Sequence, residues 1–165
     1  MDTSLALLSL GSNVEPLPHL QHAVAALRGR FGPLRVSPAY RTPAVGFDGP
    51  DFLNAAVAVP VDMPLDALET WLHALEAREG RVRTPGKSYS DRTLDVDVVF
   101  LGDLVLEQDG KRRIPRPELK HAFVLKPLAD VAPDFVDPVS GRTLAELWRA
   151  HPQHGLETFD ALPLA

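Results

Sequence analysis

An α+β domain, in which two helices cover one face of an antiparallel sheet, is the architecture this sequence predicts, and three observations predict it. Apolar runs short enough for buried strands are interleaved with two segments of helical periodicity, in the order strand, helix, strand, strand, helix, strand. Prolines and glycines fall at the changes of period, where they end one element before the next begins. The chain has 165 residues, 45% hydrophobic and 24% charged with a mean hydropathy of -0.05, which is a globular composition long enough to bury a sizeable core. Residues 1–165 are accordingly expected to form a single domain.

The opening run "SLALLSLGSN" reads as a buried strand that turns at Gly11-Ser12-Asn13. Past Pro16 and Pro18, the residues Leu17, Leu20, Val24, Leu27 and Phe31 recur at helical spacing, and Gly29 and Gly32 mark the helix end. "LRVSPAYRTP" and "FLNAAVAVPV" read as two strands, joined by "TPAVGFDGPD", a loop long enough for a binding role. From Pro64 to Glu79, Leu65, Leu68, Leu72 and Leu75 define a second helix, with Pro64 suited to its first turn and Gly80 to its cap. The basic loop "RVRTPGKSYSD" leads into the strand "TLDVDVVFLG", for which Leu104 to Leu106 is a candidate hairpin partner. "HAFVLKPLADVAP" and "TLAELWRAHP" read as short helices packed outside, with Pro133 and Pro138 breaking between them. This order is the ferredoxin-like pattern, and it leaves the second face of the sheet in need of a cover or a ligand.

Composition narrows the chemistry. Without cysteine there is no disulfide, thiolate metal site or cysteine nucleophile. A net charge of -5 and a pI near 5.6 repel polyanions, so nucleic acid is not an expected partner. No apolar run approaches the roughly 18 to 20 residues of a membrane-spanning helix, and the N-terminus lacks the basic segment of a signal peptide. A cytoplasmic monomer acting on small molecules, without a membrane partner, is the expectation.

The chemistry concentrates in "SDRTLDVDVVF". Side chains alternate along a strand, so Asp95 and Asp97 share one face while Leu94, Val96 and Val98 share the other. Their Cα atoms would lie about 6.5 Å apart, close enough for both carboxylates to converge. Like charges on one face repel unless a cation intervenes, and an oxygen-only donor set suits Mg2+ together with substrate phosphates. Two carboxylates are enough to help hold two ions around phosphate oxygens. The bland counterpart is a solvated edge strand whose polar face is acidic. Arg81, Arg83, Lys87 and Arg92 enter just before the pair, and arginine forks match phosphate oxygens; simple salt bridging of Arg92 to the aspartates is the competing account.

With "LGSN", "YRTPAVG", "DFLNAAV", "LEAREGRVR", "RTLDVDVVFLG" and "IPRPELKHAFVLKPLADVAPDF" in that order from about Leu8 to Arg142, the chain resembles the 6-hydroxymethyl-7,8-dihydropterin pyrophosphokinase family of folate biosynthesis. The resemblance implies Mg2+-dependent transfer of pyrophosphate from ATP to the pterin hydroxymethyl group, giving AMP and the pterin diphosphate. It implies that Asp95 and Asp97 hold two Mg2+ ions and that Arg81 and Arg92 are catalytic. It implies ATP contacts from Glu76, Arg83, Tyr89, Arg92, Val98, Lys111, Arg113 and Arg116. For the pterin it implies Thr42, Pro43, Gly46, Phe52, Asn54, Tyr89 and Phe123, a set whose aromatic rings and amide suit a flat, hydrogen-bonding heterocycle. Taken singly, Phe52 and Phe123 also read as plain core residues.

The chain departs from the family pattern at three places. Ser90-Asp91 precede Arg92 where a small residue and proline are usual, Arg116 follows Pro115 where a histidine is common, and Lys111 stands about where an arginine is expected. No side chain stands out as a general base, with His73 and His121 the nearest in sequence. Two other classes use parts of the same pattern: a Mg2+-dependent phosphohydrolase or nucleotidyltransferase built on the acidic pair, and a regulatory small-molecule binding module, which would not need that pair.

Overall fold

The computed structural model describes residues 3–42, 50–80, 93–152 and 161–162. Its main sheet is antiparallel, and its strands lie in the spatial order Asp95–Leu101, Ser4–Ser12, Phe52–Val61, Ala39–Thr42 and Ala161–Leu162, with Arg35–Val36 also paired to Phe52–Val61. The strands are β1 (Ser4–Ser12), β2 (Arg35–Val36), β3 (Ala39–Thr42), β4 (Phe52–Val61), β5 (Asp95–Leu101) and β8 (Ala161–Leu162). A separate hairpin pairs β6 (Leu106–Gln108) with β7 (Lys111–Ile114). The helices are α1 (Pro16–Phe31), α2 (Leu65–Arg78), α3 (Ala122–Val131) and α4 (Leu144–Ala150), with a 3-10 turn at Pro117–Lys120. No helix among the described residues is long and apolar enough to cross a membrane.

Period-2 alternation sorts the sheet into two cores. Ala6, Leu8 and Leu10 of β1, the odd-numbered apolar residues of β4, and Val96 and Val98 of β5 face α1 and α2. There they meet Leu20, Val24 and Leu27 from α1 and Leu68, Leu72 and Leu75 from α2, spaced to form one apolar stripe on each helix. Leu7, Ala56, Ala58, Val99 and Phe100 face the other way and are covered by Val124, Leu125 and Leu128 of α3 and by Leu144 and Trp148 of α4. Val99 and Phe100 join the same core because the β1–β5 register shifts between Leu7 and Leu8, which places an extra β5 residue at this point. Tyr40 ties β3 to α3 by donating to Asp130 Oδ2 at 2.5 Å, and that carboxylate also accepts from Lys126 Nζ at 2.6 Å.

Several elements differ from their sequence reading, each for a local reason. β1 runs on through Gly11 and Ser12, because Asn54 and Leu53 of β4 pair with them. The strand expected across residues 34–43 is cut at Ser37-Pro38, since proline has no N–H to donate. Ser37 bridges the break, its amide donating to Ala56 O and its hydroxyl accepting from Ala56 N. The segment after β5 pairs with β7 instead of returning to β5, because Asp109-Gly110 makes a turn with positive φ at both residues, 54° and 75°. The two short helices near the C-terminus cover the second face of the sheet.

Phe100 has no exposed surface and lies 5.0 Å from the ring of Phe135. Phe100→Ala is expected to lower the unfolding free energy by about 3–5 kcal/mol with an unchanged denaturant slope, read by urea denaturation; a loss below about 1 kcal/mol would mean that the second core collapses around the gap.

Candidate active site

The second core stops at Leu7, Ala56 and Val99, and beyond it the same face of the sheet carries polar residues. The registers Gly11↔Asp95, Gly11↔Asn54 and Tyr40↔Asn54 lay out a row Asp95, Gly11, Asn54, Tyr40 across four strands. Ser9 pairs with Asp97 one step along, and Thr42 pairs with Phe52. At about 4.8 Å per strand, Asp95 and Asn54 stand roughly 10 Å apart with Gly11 between them. A Cβ on Gly11 would come within 3.1 Å of Asn54 Oδ1 and 3.8 Å of Phe52 Cδ1, so glycine leaves the floor of this row bare. Asn54 and Thr42 are both 6% exposed, and the amide is held by donating from Nδ2 to Thr42 Oγ1 at 2.6 Å, which directs Oδ1 toward Gly11.

Asp95 and Asp97 do share a face, and it is this one. Burial, then the neighbouring Asp95 charge, pushes the Asp97 carboxyl up to about 7, with Arg116 opposing and Glu76 and Glu118 adding to the rise. The Arg116 guanidinium lies 3.7 Å from Asp97 Oδ1 and is held by Glu118 Oε2 at 2.9 Å. Its own charge is reinforced by those carboxylates in spite of its burial. Three carboxylates, those of Asp97, Glu118 and Asp95, thus act on the Arg116 guanidinium among the described residues, an excess of negative charge that a cation would relieve.

Arg116 also lines a cleft of about 410 Å³ formed by the β6–β7 hairpin and the 3-10 turn, together with Lys111, Arg112, Arg113 and Glu118. Arg113 is engaged by Glu69, with Asp66 Oδ1 at 3.7 Å, and Arg112 reaches Glu107 at 3.4 Å. Among the described residues, the Arg112 Nε is buried without a hydrogen-bond partner, as is Thr93 Oγ1 two residues before Asp95. A basic cleft with an unsatisfied donor, joined by Arg116 to a carboxylate pair, is suited to a polyphosphate.

The structure therefore brings together Asp95, Asp97 and Arg116, with Lys111 and Arg113 in the adjoining cleft. Thr42, Phe52 and Asn54 gather at the far end of the row. Phe123 sits in the first turn of α3, its ring stacked on His121 at 5.0 Å. Two expected residues are elsewhere. The side chain of Val98 is buried on the opposite face, in the core with α1 and α2, so it does not present itself to a nucleotide. Glu76 is 1% exposed beneath β5, where it accepts from the Val96 N–H at 2.8 Å. Arg81, Arg83, Tyr89, Arg92, Pro43 and Gly46 lie outside the described residues. Ser9, Gly11, Tyr40, Arg112 and Glu118 were not among the sequence candidates. The Asp109-Gly110 dipeptide was the available signal for the hairpin that places Arg112; the row on the sheet needed the strand register.

The family model described as 7,8-dihydro-6-hydroxymethylpterin-pyrophosphokinase matches residues 7–133. A 2-amino-4-hydroxy-6-hydroxymethyldihydropteridine pyrophosphokinase from Synechocystis is 42% identical over 147 residues, 86% of this chain and 73% of the relative. The protein of the same description from Pseudomonas aeruginosa is 39% identical over 162 residues, covering 91% and 93%. Among solved structures, Plasmodium falciparum HPPK-DHPS with pteroate superposes with a TM-score of 0.61 at 15% identity, over 90% of this chain and 42% of that longer one. That last likeness speaks to the fold.

The raised Asp97 carboxyl carries a stability signature. Its ordinary value is 3.8 and its folded value about 7, so between them the native state holds the extra proton and stability falls as pH rises through that window. In metal-free buffer the stability of wild type relative to Asp97→Asn is expected to decline from about pH 4 to about pH 7 and then level off. Paired urea titrations across the range check it; a constant difference would show that Asp97 is not held protonated.

Proposed function

Since this chain belongs to the 7,8-dihydro-6-hydroxymethylpterin-pyrophosphokinase family and, as a pyrophosphokinase of folate biosynthesis, transfers pyrophosphate from ATP to 6-hydroxymethyl-7,8-dihydropterin, giving AMP and the pterin diphosphate, we propose that the cleft and the polar row described above are its two substrate sites. The observation that carries this reading is Arg116, which spans from the basic cleft to within 3.7 Å of Asp97. The triphosphate occupies the cleft side, with Lys111, Arg112, Arg113 and Arg116 as its cationic lining. The pterin lies over Gly11, with Asn54 reading its edge and Phe52 and Phe123 supplying apolar faces. Thr42 holds the Asn54 amide in orientation.

The donor set fits Mg2+. Asp95 and Asp97 offer only oxygen, and burial together with the neighbouring Asp95 charge pushes the Asp97 carboxyl up, a setting that a bound cation would offset. We assign Asp95 and Asp97 as the residues that hold two Mg2+ ions, whose chemistry when bound is to neutralise charge on the phosphate oxygens. Arg116 adds fixed positive charge beside the transferring group, and the family resemblance assigns Arg81, Arg83 and Arg92, which lie outside the described residues, roles of the same chemical kind. Glu76 serves as a positioning residue: its bond to the Val96 N–H holds the backbone between the two aspartates. With substrates aligned in this way, the pterin hydroxyl attacks the β-phosphorus in line and AMP departs. Positioning and electrostatics supply the acceleration, without a dedicated side-chain base.

The strand order supports a ferredoxin-like description, with α1 and α2 on one face and the catalytic row on the other. We read the protein as a cytoplasmic monomer whose partners are its two small-molecule substrates, with neither nucleic acid nor membrane involved. Val98 takes part through its backbone position in β5 alone.

Product analysis with ATP, Mg2+ and the reduced hydroxymethylpterin tests the assignment. AMP and pterin diphosphate are expected from wild type, with Asp95→Ala and Asp97→Ala slower by at least ~10²-fold. ATP hydrolysis that proceeds equally without pterin would instead favour a phosphohydrolase. Gly11→Ala, which crowds Asn54, is expected to raise KM for the pterin by roughly tenfold while leaving KM for ATP near wild type. An equal rise for both substrates would remove the pterin from this row.

A further inference from the structure

We propose that His19, His22 and Glu79 form a binding site for a transition-metal dication of the Zn2+ class, separate from the acidic pair on β5. His19 and His22 are three residues apart on α1, so their side chains leave the same face of the helix. Glu79 closes α2, where its amide is anchored to the carbonyls of Leu75 at 3.1 Å and Glu76 at 3.2 Å. Two rigid elements therefore present the three groups to one another.

Both imidazoles converge on a single atom. His19 Nδ1 lies 2.8 Å and His22 Nδ1 2.9 Å from Glu79 Oε1, and the donor atoms of all three residues fall within 4.8 Å of one another. Tetrahedral coordination with bonds of about 2.0–2.1 Å separates neighbouring donors by about 3.4 Å. Each nitrogen thus needs to move from the carboxylate oxygen by only about half an ångström, a side-chain adjustment that leaves the helices in place. A neutral imidazole that now donates from Nδ1 shifts that proton to Nε2 when Nδ1 becomes the ligand, a change of tautomer that costs no charge at the ring.

The chemistry of the donors separates this site from the catalytic one. Two imidazoles and one carboxylate select Zn2+, Co2+ or Ni2+ over Mg2+, which prefers oxygen. Three protein ligands leave a fourth position for water or an added ligand. The side chains of His19 and Glu79 are 17% and 14% exposed while His22 is 64% exposed, so an ion has a solvent path yet is partly shielded once bound. Glu76, one turn earlier on α2, points its carboxylate to the Val96 N–H instead and takes no part.

Calorimetric titration of the full chain with Zn2+, in Mg2+-containing buffer, tests the site, alongside Co2+ titration followed by visible ligand-field absorption. Tight uptake of a single Zn2+ per chain is expected, weakened by at least ~10–100-fold in His22→Ala, a substitution at an exposed position that leaves the fold intact. His19→Ala should weaken it similarly, whereas an Asp95→Ala, Asp97→Ala double variant should bind Zn2+ as wild type does. The Co2+ absorption should vanish in both histidine variants. Absence of uptake, affinity unchanged by His22→Ala, or loss of the ion in the double aspartate variant would each overturn the proposal, the last by returning the ion to β5.

Discussion

The pairing of β1 with a neighbour on each side is the constraint from which the rest follows. Its register against β4 and β5 sets Gly11 opposite both Asn54 and Asp95, and a slip by one residue would turn every side chain of the strand to the wrong core. The apolar alternation of Ala6, Leu8 and Leu10 against Leu5 and Leu7 enforces that register, because each set has its own layer of helices to fill. The geometry of the proposed site is thus inherited from packing. The residues proposed to bear the chemistry are the ones left over on the second face once α3 and α4 have covered what is apolar.

Electrostatics then decides what this leftover surface is for. Asp95 and Asp97 would repel in an ordinary strand, an imbalance that Arg116 tempers among the described residues by approaching Asp97 while also engaging Glu118. Burial turns that imbalance into a pronounced upward push on the Asp97 carboxyl. A short distance away the β6–β7 hairpin collects Lys111, Arg112 and Arg113, with Arg113 engaged by Glu69 of α2 and Arg112 by Glu107. Opposite charge excesses stand side by side, and the proposed polyphosphate with its metal ions would satisfy both. The arginine at residue 116 makes that junction permanently cationic.

The end of α2 shows how one helix turn divides two tasks. Glu76 turns inward and accepts from Val96, tying the helix to the strand that carries the acidic pair. Glu79 turns toward α1 and gathers two histidines: burial pushes its carboxyl up, but the hydrogen bonds and charges of His19 and His22 hold it below the usual range. The bonds from His19 and His22 outweigh the opposing effect of burial there. The same residue type, three positions on, faces a different partner because 3.6 residues per turn carry it around the axis.

Alternation alone made much of this legible from the chain. The periods of the apolar residues determined α1, α2, β1, β4 and β5, and the D-x-D spacing determined that Asp95 and Asp97 share a face, since strand geometry leaves no other choice. The ordered motifs identified the family. Tertiary structure decided the rest: that Gly11 belongs to the strand and bares the floor beside Asn54, that Asp109-Gly110 folds a hairpin bringing Arg112 and Arg113 toward α2, that Val98 faces away, and that His19, His22 and Glu79 meet. Each of these joins residues distant in sequence, and their approach is set by strand register and helix packing, which local propensity does not encode.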